Sequence, residues 1–562
     1  MRKRFKFLAG LLACVTAFGV TACGKTPIET GETDGKRIEV KAVVAGYGVD
    51  WLTALASRFN EIYQAEGYEV VITQTDTQDF AKNEISYPKK CTTDIFFEYN
   101  NIDDLLNKSY SILKQKNTAL LEDLSDVYNS PAIGADKQPE GKNIIDRMSP
   151  VIAENMKYHG TLKGFDGLYG IPWQGGYNGI YVNKVKLAEL GFSTDNLLTT
   201  DDLKTVINAC APPKTEAALT DPNGFFPVAW SQKVAPGYWD YMFQALMAQY
   251  EGTQSFENFV NFVPDEGTMN EKGYTVYEKR GILEALKVIE FLEDRDLCVP
   301  GTSSMDHVTA ESRVATGKSL IVVAGDYMYK ELEKDYSDYY ENVTPIKWPV
   351  ISALGVKLGL CGTTHAAGAE CSACNAKLRE VVKAVDAGKT NDEIVAALGV
   401  NATQAAAVRE ARCQYMGGAG TVAASIPAYS DAKKGAKLFL RFMYSDEGMR
   451  IFRSKTYVDL QASYTVEPAD SEFEFVQKMY ERNKSNNVLV HDSYYNSPIR
   501  RSGVAEFPKQ ETITNLFTQL SYTHSHGSPN AGFTPTEIYN DNISWVKANW
   551  TDYIRQAGLD ND

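Results

Sequence analysis

Strand patterns alternate with amphipathic helical patterns at the start of the folded body, and this alternation constrains the fold more than any other feature. The segments are Arg37–Ala45 (strand), Asp50–Gln64 (helix), Tyr68–Gln74 (strand), a helix near Phe80 and Asp94–Tyr99 (strand). The first helix carries apolar residues near a 3.6-residue period. A β-α-β-α-β order predicts an α/β fold with a parallel sheet, and the loops at the carboxyl ends of its strands are then the expected place for a ligand.

The length and charge of the chain limit the number of lobes and the classes of ligand that can be expected. With 562 residues, the chain exceeds what one hydrophobic core holds, so two or more large lobes are expected. The formal charge is −15, and subtracting four positive residues near the N-terminus (−15 − 4) gives about −19 for the mature chain. This charge argues against nucleic acid and anionic lipid as binding partners and favours a neutral or cationic ligand.

The first 23 residues have the pattern of an export signal. Basic residues at the start precede Phe7–Val20, an apolar stretch too short to cross a bilayer, and the run V-T-A-C ends at Cys23. This run resembles the bacterial lipobox, which implies a signal peptide over residues 1–22 and lipidation of Cys23. Residues 23–36 then form a flexible tether that reaches roughly 40 Å. An ordinary cleaved signal with an incidental cysteine is the alternative.

Four of the nine cysteines, Cys361, Cys371, Cys374 and Cys413, fall within a short stretch of the chain. Outside the membrane they could form a disulfide, and a C-x2-C pair with two distant cysteines could also hold zinc. The other two spacings match no common zinc pattern, and the histidines form no evident ligand set. The sequence therefore predicts no metal and no cofactor, and the disulfide connectivity stays open.

Four segments carry a family resemblance, in this order: Gly164–Asn183 with its Y-G-I-P-W run, Lys318–Tyr329, Gly417–Pro427 and Ala432–Phe452. Together they resemble the extracellular solute-binding proteins of ABC importers, of the sugar-binding (family 1), maltodextrin-binding-protein-like type. The resemblance covers almost the whole mature chain. It implies a two-lobed periplasmic-binding-protein-like fold (type II), in which each lobe is a mostly parallel sheet flanked by helices and a hinge joins the lobes.

The resemblance also predicts the domain boundaries. Lobe 1 is expected over residues 37–174 and 425–470, and lobe 2 over residues 175–424 and 471–562. Residues 351–416 depart from compact members and predict a helical, cysteine-containing insertion within lobe 2. Part of the insertion is similar to a helix-turn-helix, but an exported acidic protein has no DNA to read. A small subdomain stapled by cysteines and a docking surface for another protein are the two interpretations.

Tyrosine and tryptophan together outnumber phenylalanine, and several of them stand beside polar residues in loops. This pattern suits a carbohydrate, because a sugar ring offers an apolar face to an aromatic platform and a rim of hydroxyls to polar groups. Several of the candidates match ligand-lining positions of the family, and for each aromatic residue the alternative is core packing. The predicted ligand-binding residues are Tyr47, Asp50, Trp51, Glu98, Tyr99, Trp173, Tyr177, Asn178, Trp230, Tyr238, Trp239, Asp326 and Tyr327.

The resemblance implies a monomeric lipoprotein, anchored at the extracellular face of the cell membrane, that captures a carbohydrate (an oligosaccharide is favoured) by hinge closure and delivers it to ABC importer permease subunits. A Gram-positive cell suits such an anchor. No G-x-S-x-G, H-E-x-x-H or P-loop motif occurs, so no enzyme is predicted. Two alternatives remain: a surface adhesin or sensor lipoprotein that binds a glycan or another polar nutrient, and a secreted glycosidase, which would need a pair of carboxylates.

Overall fold

The computed structural model describes residues 34–560 with gaps at 45, 89, 99–101, 114–118, 149, 155, 159–164, 175, 232–235, 295, 418–421, 461–465, 470–472, 483–487 and 491–533. The predicted signal peptide, Cys23 and most of the tether lie outside the described residues. Tyr99 also lies outside them.

Thirteen strands can be assigned in the described residues. They are β1 (Arg37–Val43), β2 (Glu69–Thr75), β3 (Ile95–Phe97), β4 (Pro131–Ile133), β5 (Pro139–Asn143), β6 (Ile171–Pro172), β7 (Tyr177–Asn183), β8 (Val228–Ala229), β9 (Ile321–Gly325), β10 (Val343–Pro345), β11 (Gln414–Gly417), β12 (Ala423–Ser425) and β13 (Val488–Val490).

Helices make up most of the remaining described structure. The first half of the chain contains α1 (Asp50–Tyr63), α2 (Phe80–Ile85), α3 (Ile102–Leu113), α4 (Ser125–Tyr128), α5 (Pro150–Glu154), α6 (Lys184–Glu189), α7 (Thr200–Ala209), α8 (Glu216–Leu219), α9 (Pro236–Glu251), α10 (Thr253–Val260) and α11 (Met269–Lys272). The second half contains α12 (Arg280–Leu292), α13 (His307–Ala315), α14 (Met328–Glu333), α15 (Ala353–Lys357), α16 (Ser372–Asp386), α17 (Asn391–Leu398), α18 (Ala402–Cys413), α19 (Lys433–Met443), α20 (Asp446–Thr456), α21 (Glu474–Arg482) and α22 (Pro535–Gln556). Short 3-10 helices lie at Gln64–Glu66, Ile144–Arg147, Thr194–Asn196, Gly273–Glu278, Thr302–Ser304 and Tyr340–Asn342.

The first sheet has the strand order β2-β1-β3-β12-β6. β1 runs parallel to both β2 and β3, which confirms the alternation predicted from the sequence. β12 comes from much later in the chain and pairs antiparallel with β3 and β6. α19 and α20 pack on the same lobe, where the ring of Phe59 in α1 lies 5.3 Å from that of Phe439. The core of this lobe is therefore built from two segments that are far apart in the chain.

The second sheet has the order β13-β11-β7-β9-β8, with β10 also paired to β7. All residues of β7 are buried, Asn178 and Asn183 included, as expected for a central strand that is paired on both sides. β7 runs antiparallel to β9, β10 and β11, whereas β8 with β9 and β11 with β13 are parallel pairs. The molecule thus has two α/β lobes, as the sequence predicts, and the second sheet is mixed.

The chain passes between the two sheets at closely placed points. In chain order, β6 of the first sheet is followed by β7 of the second, and β11 of the second is followed by β12 of the first. A further passage follows α20 and ends at α21, which packs against β10. Short strand-to-strand passages of this kind are the ordinary construction of a hinge.

Residues 351–416, which the sequence predicts to be a helical insertion, contain α15 to α18, but residues 414–416 already belong to β11 of the second sheet. α17 begins with a capping box between Thr390 and Glu393 and ends at Gly399 in the left-handed conformation, and α18 begins with a capping box between Asn401 and Gln404. These signals are readable in the sequence and explain why both helices start and stop where they do. Among the described residues, no helix is both long enough and apolar enough to cross a bilayer.

Candidate functional site

Loops from both sheets meet at the passage between the lobes. The loops after β1 and β6 approach the loop after β9, and with the starts of α1, β7 and α9 they bring together seven of the predicted residues. We name this group the interlobe cluster: Tyr47, Trp51, Trp173, Tyr177, Tyr238, Asp326 and Tyr327. A mutual approach of loops at strand ends is the arrangement expected of a ligand site in an α/β protein.

Tyr47 and Asp326 join the lobes directly. The Tyr47 hydroxyl donates to Oδ1 of Asp326 and accepts from the backbone N–H of Gly176 at 3.1 Å. The other carboxyl oxygen, Oδ2, accepts from the backbone N–H of Tyr177 at 2.9 Å. Burial raises the pKa of Asp326 to about 7, although the Tyr47 hydroxyl and the backbone N–H groups oppose the rise. A carboxyl group of the second lobe, whose pKa lies near neutral pH, is thus hydrogen-bonded to a hydroxyl of the first lobe.

This raised pKa predicts a pH-dependent effect of Asp326→Asn. The folded chain keeps the Asp326 proton up to about pH 7, whereas the unfolded chain releases it near the ordinary value of 3.8. The contribution of the protonated carboxyl to stability is therefore complete below about pH 4 and is lost as the pH rises through about 7. An asparagine amide keeps the geometry, because its NH2 can donate to Tyr47 while its oxygen accepts from Tyr177.

We expect Asp326→Asn to match the wild type in melting temperature near pH 4 and to exceed it at pH 8, with the difference growing between those values. Thermal melts across that range measure it. Asp338→Asn, an exposed aspartate of the same lobe, is the control and should give no such growing difference. A difference between Asp326→Asn and the wild type that stays constant with pH would contradict the assignment.

Trp51 and Trp173 form the aromatic part of the cluster on the first lobe. Their rings stack with centroids 5.7 Å apart and an interplanar angle of 22°. Phe452 of α20 packs edge-on against Trp51 at 4.9 Å, and Phe97 at the end of β3 lies 5.7 Å from Trp51. The indole Nε1 of Trp51 is buried without an acceptor in the part of the chain that the structure describes. Sequence reasoning missed Phe97 and Phe452, since nothing in their apolar runs separates them from ordinary core residues.

Tyr327 and Tyr238 form the facing part on the second lobe. Their hydroxyls share a hydrogen bond, and the Tyr327 ring lies edge-on to Tyr47 at 5.8 Å. A side chain at Gly46 would collide with Tyr327, because an added Cβ would lie 2.8 Å from the tyrosine Cβ. The loop after β1 therefore needs glycine at this position for the two lobes to approach so closely.

Two glutamates and a histidine, which the sequence analysis did not predict, lie next to the pair formed by Tyr327 and Tyr238. His307 Nε2 is 3.4 Å from Glu331 Oε1, and the His307 ring lies 6.3 Å from that of Tyr238. Burial and the neighbouring Glu331 raise the pKa of Glu311 well above its usual range, whereas Glu331 raises the pKa of His307. These residues lie in the helices α13 and α14, whose amphipathic sequences do not indicate that the three side chains are neighbours. Only the tertiary fold brings them together.

Tyr177 and Asn178 begin the central strand β7. The Tyr177 hydroxyl donates to the backbone oxygen of Ile346 at 3.1 Å, and the Arg482 guanidinium lies 5.1 Å from the Tyr177 ring centroid. Asn178 is buried opposite Gly325. Tyr177 therefore couples β7 to α21, the helix that follows the last passage between the lobes.

Other predicted residues lie at the edge of this group or away from it. Asp50 is exposed at the start of α1 and pairs with Lys330 of the second lobe at 3.4 Å. Glu98 is fully buried directly after β3. Trp230 is buried in the core of the second lobe, where its Nε1 donates to the backbone oxygen of Leu292 at 3.1 Å, so the structure does not bring it to the cluster. Trp239 lies in α9.

A separate group of possible metal ligands lies in the insertion. Within the described residues, Cys361, His365, Cys371 and Cys374 have ligand atoms that all lie within 4.8 Å of one another. Cys413, which the sequence grouped with the other three cysteines, is not a member.

Comparisons with known proteins agree with this architecture. A family model described as bacterial extracellular solute-binding protein matches residues 54–458. No curated protein matches the chain significantly. Among solved structures, the fold is similar to a probable secreted solute-binding lipoprotein from Streptomyces coelicolor, with 14% identity, coverage of 92% of this chain and 100% of that one, and a TM-score of 0.52.

Two further structures give a similar result. A chitin oligosaccharide binding protein is 13% identical, with coverage of 92% of this chain and 100% of that one and a TM-score of 0.54. The apo form of RafE from Streptococcus pneumoniae is 14% identical, with coverage of 93% and 99% and a TM-score of 0.53. At these identities the likeness concerns the fold.

Proposed function

The chain belongs to the bacterial extracellular solute-binding proteins, and from that premise we propose that it captures a carbohydrate between its two lobes and delivers it to an ABC importer. The observation that carries the proposal is the interlobe cluster. It places stacked indoles, a tyrosine pair and a buried carboxyl at the junction of the lobes. Flat aromatic faces with hydrogen-bonding groups at their edges are what a sugar ring requires.

The similar structures support a carbohydrate in particular. One of the three named above is a chitin oligosaccharide binding protein. The acidic balance of the chain is compatible with a neutral sugar, because a neutral ligand is not repelled by it. We therefore favour a neutral oligosaccharide over an anionic one.

Capture is proposed to work by hinge closure. The contacts between the lobes in the described residues include Tyr47 with Asp326, Asp50 with Lys330, and the Tyr457 hydroxyl with Glu333 at 2.7 Å. A ligand seated against both lobes adds contacts that only the closed arrangement offers. It shifts the population toward that arrangement by the difference in its affinity for the two states.

Membrane attachment through Cys23 is a further part of the proposal. It is supported by the lipobox-like sequence and by the likeness to a secreted solute-binding lipoprotein. A lipid anchor and a flexible tether would keep a monomeric binding protein near its permease. The adhesin or sensor alternative shares the binding site and the anchor but has no permease, and the glycosidase alternative requires turnover.

The proposal is tested with the purified mature chain and a panel of neutral mono- and oligosaccharides. We expect at least one of them to raise the melting temperature, because a ligand that binds only the folded chain stabilises it by mass action. Calorimetry then gives the stoichiometry, expected to be one, and chromatography of the recovered sugar should find it unchanged. Cleaved sugar would instead favour the glycosidase, and an unmoved melting temperature across the panel would contradict a carbohydrate ligand.

Uptake separates the importer from the sensor. Cells that lack the protein should lose accumulation of the labelled sugar, and the intact gene should restore it. Cys23→Ala should be released into the medium with unchanged affinity and fail to restore uptake. Undiminished uptake in the deletion strain would support the sensor, and a membrane-bound Cys23→Ala chain would contradict the proposed anchor.

A further inference from the structure

The insertion in lobe 2 holds four chemically matched side chains at one place. Cys361 and His365 lie in the loop between α15 and α16, Cys371 is the N-cap residue of α16, and Cys374 lies in its first turn. Cys374 is fully buried and the other three are half-buried. The sulfur atoms and a ring nitrogen all lie within 4.8 Å of one another.

The separations are close to those of a tetrahedral metal site. Sγ of Cys361 lies 3.8 Å from Sγ of Cys371 and 3.1 Å from Nε2 of His365. Zinc bonds of about 2.3 Å to sulfur and about 2.0–2.1 Å to nitrogen, set at tetrahedral angles, give separations of roughly 3.8 Å and roughly 3.6 Å. The sulfur pair therefore already has the required spacing, and the sulfur–nitrogen pair needs to open by only about half an ångström.

The backbone around these residues supports ligation. The backbone N–H of Cys374 donates to Sγ of Cys371 at 3.2 Å, a contact that stabilises a thiolate, and the helix N-terminus favours negative charge at the same atom. Gly362 adopts a φ of 85°, which lets the chain turn back directly after Cys361 so that His365 reaches the group. The loop start is fixed to α18, because the Gln404 side chain donates to the backbone oxygen of Leu358 at 2.7 Å.

A disulfide explains the group less completely. A disulfide needs sulfur atoms about 2.05 Å apart, would use only two of the three thiols, and gives the imidazole no role. In the structure all seven described cysteines are free, and Cys413 lies outside the group. Three cysteines and one histidine complete a closed four-coordinate set, which is the composition of structural zinc sites and leaves no open position for substrate.

We propose that Cys361, His365, Cys371 and Cys374 bind one zinc ion, which fastens the loop after α15 to the start of α16. The three thiols give up their protons to solvent when the metal binds. The role is structural. The loop between α15 and α16 contains no regular secondary structure. Metal binding would stabilise this loop, which is too short to form a hydrophobic core of its own.

The test uses the full mature chain, reduced and then supplied with zinc sulfate or cobalt chloride. After removal of excess metal, elemental analysis should find one zinc per chain. The cobalt-loaded chain should show the intense visible absorption of tetrahedral cobalt with thiolate ligands. Cys371→Ser should lower the zinc affinity at least 100-fold, in line with the loss of a ligand. Cys413→Ser, the matched control in the same insertion, should keep one zinc per chain.

The histidine is tested by rescue. His365→Ala should lose zinc, whereas His365→Cys should regain it, because four thiolates also suit the metal. Zinc should raise the melting temperature of the wild type and of Cys413→Ser but not that of Cys371→Ser. A chain that takes up no zinc and shows a disulfide between two of these cysteines by peptide mapping would overturn the proposal, as would equal zinc content in all variants. These measurements involve no carbohydrate, so they stand apart from the test of the binding function.

Discussion

Arg453→Met is expected to lower the free energy of unfolding by about 3–5 kcal/mol. Arg453 and Asp459 form an ion pair at 2.6 Å in which the side chains are only 4% and 2% exposed. Another guanidinium N–H donates to the backbone oxygen of Val466 at 2.9 Å. Removing the arginine deletes the ion pair of a buried carboxylate and the donor to a backbone oxygen.

Urea unfolding followed by tryptophan fluorescence measures this change. Arg450→Met is the matched control, because Arg450 lies on the same helix, is 59% exposed, and makes only a 3.9 Å contact with Glu447. Its effect should stay within about 0.5 kcal/mol. Replacing both members of the buried pair, as Arg453→Met with Asp459→Leu, should recover most of the loss. If the free energy of unfolding of Arg453→Met were within about 1 kcal/mol of the wild-type value, the buried pair would not stabilise the fold.

Tyr327→Ala should raise the dissociation constant for the carbohydrate identified in the panel at least tenfold, a loss of about 1.4 kcal/mol. The half-buried ring contacts Tyr47 of the first lobe and Tyr238 of the second, so it meets both lobes. Its removal deletes a platform for the sugar and also weakens the closed arrangement, and both effects lower affinity in the same direction.

Calorimetric titration of the purified variants checks this expectation. Tyr327→Phe keeps the ring and removes only the hydroxyl shared with Tyr238, so its loss should be several-fold smaller than that of Tyr327→Ala. Tyr339→Ala, at a 46% exposed tyrosine of the same lobe, should bind like the wild type. If Tyr327→Ala also bound within twofold of the wild type, the interlobe cluster could not be the sugar site.

The sequence predicted the part of the fold that local patterns determine. β1, α1, β2 and β3 follow from apolar periodicity, and α17 and α18 follow from capping residues on either side of Gly399. The two-lobed class followed from four weak motifs in a fixed order. The antiparallel partners of β7 could not be predicted in the same way, since the sequence of a buried strand has the same appearance whichever direction its neighbours run.

The residues of the candidate site also fall into those that local sequence patterns predict and those that only the tertiary structure places. Loops after strands pointed to Tyr47, Asp326 and Tyr327, whose positions the topology fixes. Trp230 has the same composition signal as Trp173, and both indoles are buried. Trp230 lies in the core of the second lobe against Leu292, whereas Trp173 lies in the core of the first lobe beside the passage to the second, and only the tertiary structure separates the two. His365 was not predicted to be a metal ligand, because the sequence groups Cys413 with the other three cysteines. The candidate ligand set depends instead on how the loop folds back in space.

The place of β12 in the first sheet has a consequence for biosynthesis. β12 lies between β3 and β6, although residues 423–425 follow β6 by some 250 positions. Until that segment has been translated and exported, the first lobe has a gap in its sheet and two unpaired strand edges, which readily pair with other chains. We therefore expect nascent or truncated chains that stop before residue 423 to aggregate or to require a chaperone, and neither lobe can be produced as one uninterrupted fragment.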